Sequence, residues 1–101
     1  MKKIIHNKLY NTDTSELLGQ KEWGEPMDFY YIFESLYRTS KGNYFLHGSG
    51  GPQSKYSIQN GCDICGGEEI IPFTVDQARE WAEKNLNPDE YIAGFGEVEE
   101  A

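Results

Sequence analysis

The feature that most constrains the fold is a pair of apolar runs joined by a short polar turn, FYYIFESLYRTSKGNYFLHG, in residues 29–48. Both runs, at about 29–39 and 43–47, are dense in aromatic and branched side chains, which is typical of β-strands. Between them lies Ser40-Lys41-Gly42, where the glycine can adopt the positive φ that a tight hairpin needs. The sequence therefore predicts an antiparallel hairpin here.

Outside this hairpin, the first three quarters of the sequence predict short strands and one short helix, separated by glycine-rich turns. A strand pair is expected at 3–5 and 8–10, around the turn-prone His6-Asn7. Asp13 with Glu16 three residues later resembles a capping box that opens a short helix, which Gly19 would end. One short strand is expected near residues 56–58. Another is expected at 69–73, either at a sheet edge or where the chain leaves the sheet, because Pro72 cannot donate to a ladder.

The clearest helix begins after Thr74, which forms a capping box with Gln77. The apolar stripe of this helix consists of Val75, Ala78, Trp81, Ala82 and Leu86, and it predicts packing against a sheet. Asn87 followed by Pro88 then predicts a second, short helix. We expect a single α+β domain over residues 1–101, a mainly antiparallel sheet with the C-terminal helix packed on one face and with the last few residues frayed.

Charge is distributed unevenly along the chain. Residues 1–67 carry seven acids and seven bases, whereas residues 68–101 carry ten acids and two bases, so the whole net charge of −8 comes from the last third. Such a surface repels phosphates and attracts basic proteins by long-range steering. Direct binding to nucleic acid is therefore disfavoured, and a basic protein is the expected partner.

We predict a carboxylate-rich binding face on the C-terminal helices, made of Asp76, Glu80, Glu83, Asp89 and Glu90. The alternative is a solvated face that only keeps the protein soluble, with Arg79–Glu83 and Glu80–Lys84 as ordinary pairs four residues apart. Charge pattern alone does not choose between the two interpretations.

The segment NGCDICGG contains two cysteines with the spacing of a zinc knuckle. A closed site needs two further ligands, and the chain has only two histidines, so the candidate set is Cys62, Cys65, His6 and His47. There is no second CxxC, and Gly66-Gly67 follows the pair where a redox motif would begin a helix. Ordinary reduced thiols are therefore the favoured interpretation, with zinc and redox chemistry as alternatives.

Motifs of catalysis are missing from the sequence. The glycines of residues 48–51 lack the third spaced glycine of a dinucleotide fingerprint and the Gly-Lys-Ser/Thr of a phosphate loop. No serine lies in a nucleophile elbow. We therefore expect a protein without enzymatic activity and without a cofactor, zinc excepted. No apolar run suits a secretory signal or a bilayer span, which favours a cytoplasmic protein without a membrane partner.

Two long segments, ESLYRTSKGNYFLHGSGGPQSKY and GGEEIIPFTVDQAREWAEKNL, together with YNTDT near the start, resemble a family of small acidic proteins from bacterial phages and integrative mobile elements. The resemblance covers most of the chain and carries no catalytic residues. Small acidic proteins of such elements often inhibit host defence, and the resemblance therefore implies an anti-CRISPR-like inhibitor whose partner is a CRISPR nuclease or another defence nuclease.

Two further expectations concern assembly and function. A homodimer through the aromatic sheet would give a small domain more buried area. The alternative function, from a different class, is a small zinc-stabilised structural or interaction module that uses the CxxC.

Overall fold

The structure is a computed structural model that covers all 101 residues. Along the chain, eight strands are followed by two helices. The strands are β1 (Lys2–Ile5), β2 (Lys8–Asn11), β3 (Glu16–Trp23), β4 (Ile32–Arg38), β5 (Tyr44–Gly50), β6 (Ile58–Asn60), β7 (Asp63–Cys65) and β8 (Gly67–Phe73). The helices are α1 (Val75–Asn85) and α2 (Pro88–Phe95). The expected α+β class is confirmed.

The centre of the molecule is a four-stranded sheet in the order β3-β4-β5-β8, and every neighbouring pair is antiparallel. The predicted aromatic hairpin forms its middle as β4 and β5. The predicted strand around Pro72 is β8, and it lies at an edge, as expected, opposite Phe45. The hairpins β1–β2 and β6–β7 are separate two-stranded sheets.

The helices cover one face of the sheet. Since side chains alternate between the two faces of a strand, only every second residue of a strand points towards the helices. Leu36 of β4 and Leu46 of β5 pack with Ala78, Trp81 and Ala82 of α1 in the main core cluster. The predicted stripe of α1 is thus confirmed at its centre. Val75 at its start, however, remains 45 % exposed.

The hairpin β1–β2 covers part of the opposite face. Its Tyr10 meets the ring of Phe45 edge-on at 5.4 Å between ring centroids, and Tyr37 stacks on the same ring at 5.2 Å. At the helical face Tyr44 stacks on Phe95 of α2. Both faces of the aromatic hairpin are therefore used in internal packing.

The predicted N-terminal strand pair is present, and its turn is formed by His6 and Asn7 at φ values of 50° and 64°. Such positive φ values at both turn positions suit the right-handed twist of a two-residue hairpin.

The helix predicted to open at Asp13 is wrong, because residues 16–23 form strand β3. Asn11 organises the preceding turn instead: its side-chain oxygen accepts from the Asp13 amide at 3.0 Å, and its carbonyl accepts from Ser15 Oγ at 2.7 Å. Pairing with β4 and packing of Leu18 in the core outweigh the local capping signal. A bulge between Leu17 and Gly19 interrupts this pairing.

Both C-terminal helices begin where expected. Thr74 and Gln77 form a reciprocal capping box on α1, and Asn87 and Glu90 form one on α2. Because each box satisfies two backbone groups that a helix end leaves free, the helix starts are set by local sequence.

Candidate functional site

The ten acidic residues of the last third are all exposed. On α1, Asp76, Glu80 and Glu83 are spaced by four and three residues and so share one side of the helix. We call these three residues the acidic stripe. Within it only Glu80 forms an ion pair, with Lys84 at 3.0 Å. The stripe therefore presents carboxylates whose charge is largely uncompensated.

The two predicted binding residues of α2 differ in what they do. Glu90 accepts from the backbone amide of Asn87 at 3.2 Å, and the Asn87 side chain accepts from the Glu90 amide at 2.8 Å. The Glu90 carboxylate thus stabilises the start of its own helix. Asp89 lies exposed in the same turn and forms no ion pair.

A shallow groove of about 460 Å³ lies between α1, α2 and the C-terminal segment. It is lined by Ala82, Glu83, Leu86, Pro88, Tyr91, Ile92 and Val98, mostly apolar residues. We call it the helical groove. Glu83 belongs to both the groove and the acidic stripe, which places an apolar surface directly beside uncompensated carboxylates.

The structure does not bring the four candidate zinc ligands together. Cys62 is exposed in the turn of the β6–β7 hairpin, and Cys65 follows on β7; both are free thiols. His47 lies on β5 and its Nε2 is 2.8 Å from a carboxylate oxygen of Glu68, whereas His6 is in the β1–β2 turn. No group of three or more His, Cys, Asp or Glu side chains is arranged to hold a metal ion.

Sequence reasoning missed a buried carboxylate at the centre of the sheet's helical face. Glu34 on β4 is only 2 % exposed. It accepts from Trp81 Nε1 at 2.9 Å and from the Tyr56 hydroxyl, and it pairs with Lys55 Nζ at 2.8 Å. We call these four residues the Glu34 cluster. It joins the sheet, the loop after β5 and helix α1.

Burial and hydrogen bonding act in opposite directions on the pKa of Glu34. Burial raises this pKa, but the hydrogen bonds from Lys55, Tyr56 and Trp81, with the charge of Lys55, outweigh burial and hold it below its ordinary value. The pKa of Tyr56 is raised by burial and by its bond to Glu34. Glu34 is thus a carboxylate and Tyr56 a neutral donor at neutral pH.

Gly48 leaves the space that the ring of Tyr56 fills in this cluster. It lies on β5 directly opposite Glu34, and a Cβ atom at this position would overlap the ring of Tyr56. Residues 51–57 fold back over the strand, held by Ser54, whose hydroxyl donates to Gly51 O at 2.8 Å and accepts from the Tyr56 amide at 3.2 Å. The first glycine of GSGGP, Gly48, therefore leaves room for the Tyr56 side chain.

The arrangement suits recognition of cations more than proton transfer. A carboxylate with a lowered pKa and three donors is a poor general acid, and no serine or cysteine nucleophile belongs to the cluster.

Comparison with protein families, with curated proteins and with solved structures finds no match to this chain. No helix is both long and apolar enough to span a bilayer.

Proposed function

We propose that this protein is a binding module that docks the acidic stripe and the helical groove onto a basic, nucleic-acid-handling protein. The observation that carries the proposal is the placement of uncompensated carboxylates beside an apolar groove on the same two helices. Carboxylates steer a basic partner and set its orientation, while buried apolar contact supplies affinity.

Some charged side chains of the protein are engaged within the fold, whereas those of the acidic stripe are largely free to contact a partner. Arg38, for example, donates to Gly94 O at 2.7 Å and pairs with Glu16 at 2.5 Å, so this base and this acid are used internally. Asp76 and Glu83 have no such partner. A solvated face needs no groove, whereas a docking face gains from one.

We infer the class of partner from the charge and from the resemblance to mobile-element proteins that the sequence suggests. A basic protein that handles nucleic acid exposes the lysines and arginines that a carboxylate stripe can occupy. A CRISPR nuclease or another defence nuclease holds its nucleic acid in a basic groove. A protein that occupies this groove of the nuclease would inhibit it.

The test is binding to a panel of purified, guide-loaded CRISPR nucleases, measured at physiological ionic strength by biolayer interferometry. For the nuclease that binds, we expect Glu80→Lys with Glu83→Lys to weaken binding by at least about tenfold, mainly through slower association, because several close charges reverse sign. The fold should survive, since both side chains are exposed.

A matched control separates local from overall charge. Asp13→Lys with Glu25→Lys makes the same change in net charge at two exposed positions outside the helices and should leave affinity within about twofold. Equal weakening by both pairs of substitutions, or unchanged binding by the Glu80 and Glu83 variant, would remove the proposal. A panel without any binding nuclease would contradict the proposed class of partner.

A further inference from the structure

The Glu34 cluster opens into another cavity, a shallow and partly open one, on the sheet's helical face. The cavity is about 380 Å³ and is lined by Trp23, Ile32, Glu34, Lys55, Trp81 and Asn85. None of the acidic-stripe residues lines it. Its size is within the range of small-ligand pockets, and its walls contain both tryptophans of the protein.

The chemistry of the lining favours a cation. Glu34 is a buried carboxylate that lines the cavity, and indole rings are the aromatic groups that attract cations most strongly. Asn85 adds a side-chain amide whose nitrogen donates to Trp81 O at 2.9 Å, which leaves its oxygen as an acceptor. A buried negative charge, aromatic walls and an amide acceptor together fit a planar guanidinium better than an anion or an apolar ligand.

Glu34 retains capacity for another donor. Its Oε1 accepts from Trp81 Nε1, whereas its Oε2 accepts from Tyr56 and pairs with Lys55. A carboxylate offers about four acceptor positions, so one position on Oε1 is free. Lys55 is the only cation paired with Glu34, and its side chain is 62 % exposed.

Lys55 reaches the buried carboxylate from the protein surface, with a side chain that is mostly exposed. Holding a long, mostly exposed side chain in one geometry costs conformational entropy, which is recovered when the side chain is released. From this one position Lys55 Nζ contacts both Glu34, at 2.8 Å, and the Tyr56 ring, at 5.4 Å from the ring centroid. The ammonium group of Lys55 thus occupies a place that another cation can take.

We propose that this cavity binds the guanidinium group of a ligand, with Glu34 as its counter-ion and Trp23 and Trp81 as its walls. The proposal does not depend on the function proposed above. The ligand is a small guanidinium compound or an arginine side chain of another protein, and the two share the same recognition chemistry.

The experiment is a titration of the isotopically labelled protein, followed by NMR through its two indole N–H signals. The probes are agmatine, as a free small molecule, and the tripeptide Gly-Arg-Gly with blocked ends, as a peptide-borne arginine. The blocked tripeptide Gly-citrulline-Gly is the neutral control. At concentrations up to about 10 mM we expect the Trp81 signal to shift with agmatine or with the arginine peptide, but not with the citrulline peptide. Tighter binding of agmatine would indicate a small ligand, and tighter binding of the peptide would indicate a protein side chain.

Variants make the result decisive. Lys55→Met keeps the apolar stem and removes the competing charge, so we expect affinity to rise about tenfold. Glu34→Gln should abolish binding, and its fold is checked by the same spectra. Should Glu34→Gln fail to fold, Trp23→Ala at a 38 % exposed position should weaken binding about tenfold. Absence of an indole shift, an equal shift with citrulline, or unchanged affinity in Lys55→Met would show that the cluster only holds the loop on the sheet.

Discussion

At the scale of single residues, Glu34 shows how a buried charge is tolerated. A carboxylate removed from water is costly unless donors surround it, and here an indole, a phenol and an ammonium group do so. Each partner lies far away in sequence, Tyr56 by 22 positions and Trp81 by 47. Sequence reading therefore had no local signal for this site, since only the strand register and the helix position bring its members together.

The lowered pKa of Glu34 predicts a specific dependence of stability on pH. Because the folded-state pKa is below the unfolded value, the ionised carboxylate stabilises the fold above that unfolded value, and the contribution is lost as pH falls through the folded pKa. We expect Glu34→Gln to be less stable than the native protein by about 2 kcal/mol at pH 7. The difference should shrink below pH 4.5, the ordinary pKa of this carboxyl.

Urea denaturation of both proteins from neutral to acidic pH measures this difference directly. The comparison cancels the titration of the other carboxylates, which both proteins share. Glu25→Gln, at an exposed position, serves as the control and should follow the native protein at every pH. A stability difference between native protein and Glu34→Gln that stays constant or grows on acidification would contradict the assignment.

At the scale of elements, local signals predicted the helices and hairpins better than they predicted β3. Capping at Thr74 and Asn87 acts within four residues and survives in the folded protein. The Asp13–Glu16 signal did not, because the following residues pair with β4 and because Leu86 packs against Gly19, where a Cβ would overlap it. A contact between β3 and the end of α1 cannot be read from the sequence around residue 13.

Two glycine substitutions should have opposite effects on stability. Gly48→Ala places a Cβ into the ring of Tyr56 and so forces the loop of residues 51–57 away from the sheet; we expect a loss of about 2 kcal/mol. Gly94→Ala lies in α2, where its Cβ would contact Leu18 at ordinary distances from 3.6 Å. This change should stabilise by about 0.5–1 kcal/mol, because alanine favours the helix.

Urea midpoints of the two variants and the native protein give both signs in one experiment. In Gly48→Ala the indole signal of Trp81 should shift as well, since Glu34 loses Tyr56 as a donor. A Gly48→Ala variant as stable as the native protein would mean that the loop does not pack over β5 as described.

At the scale of the whole molecule, the excess negative charge lies in the last third of the chain, which contains both helices. The helices hold the acidic stripe, while the first 67 residues, which form most of the strands, carry balanced charge. The total of −8 could be estimated from composition, and its location on the last third could be read along the chain. The groove beside the stripe could not, because it is formed by the crossing of α1, α2 and the segment around Val98.

The most direct test of the central claim is a hydrogen–deuterium exchange footprint of the protein in complex with a nuclease that the binding panel identifies as a partner. We predict slower exchange in residues 75–98, which include both helices and the groove, and unchanged exchange in the β1–β2 and β6–β7 hairpins. Protection confined to either hairpin, or to the outer strands of the sheet, with no change in the helices, would contradict the claim that the acidic helical layer is the binding surface.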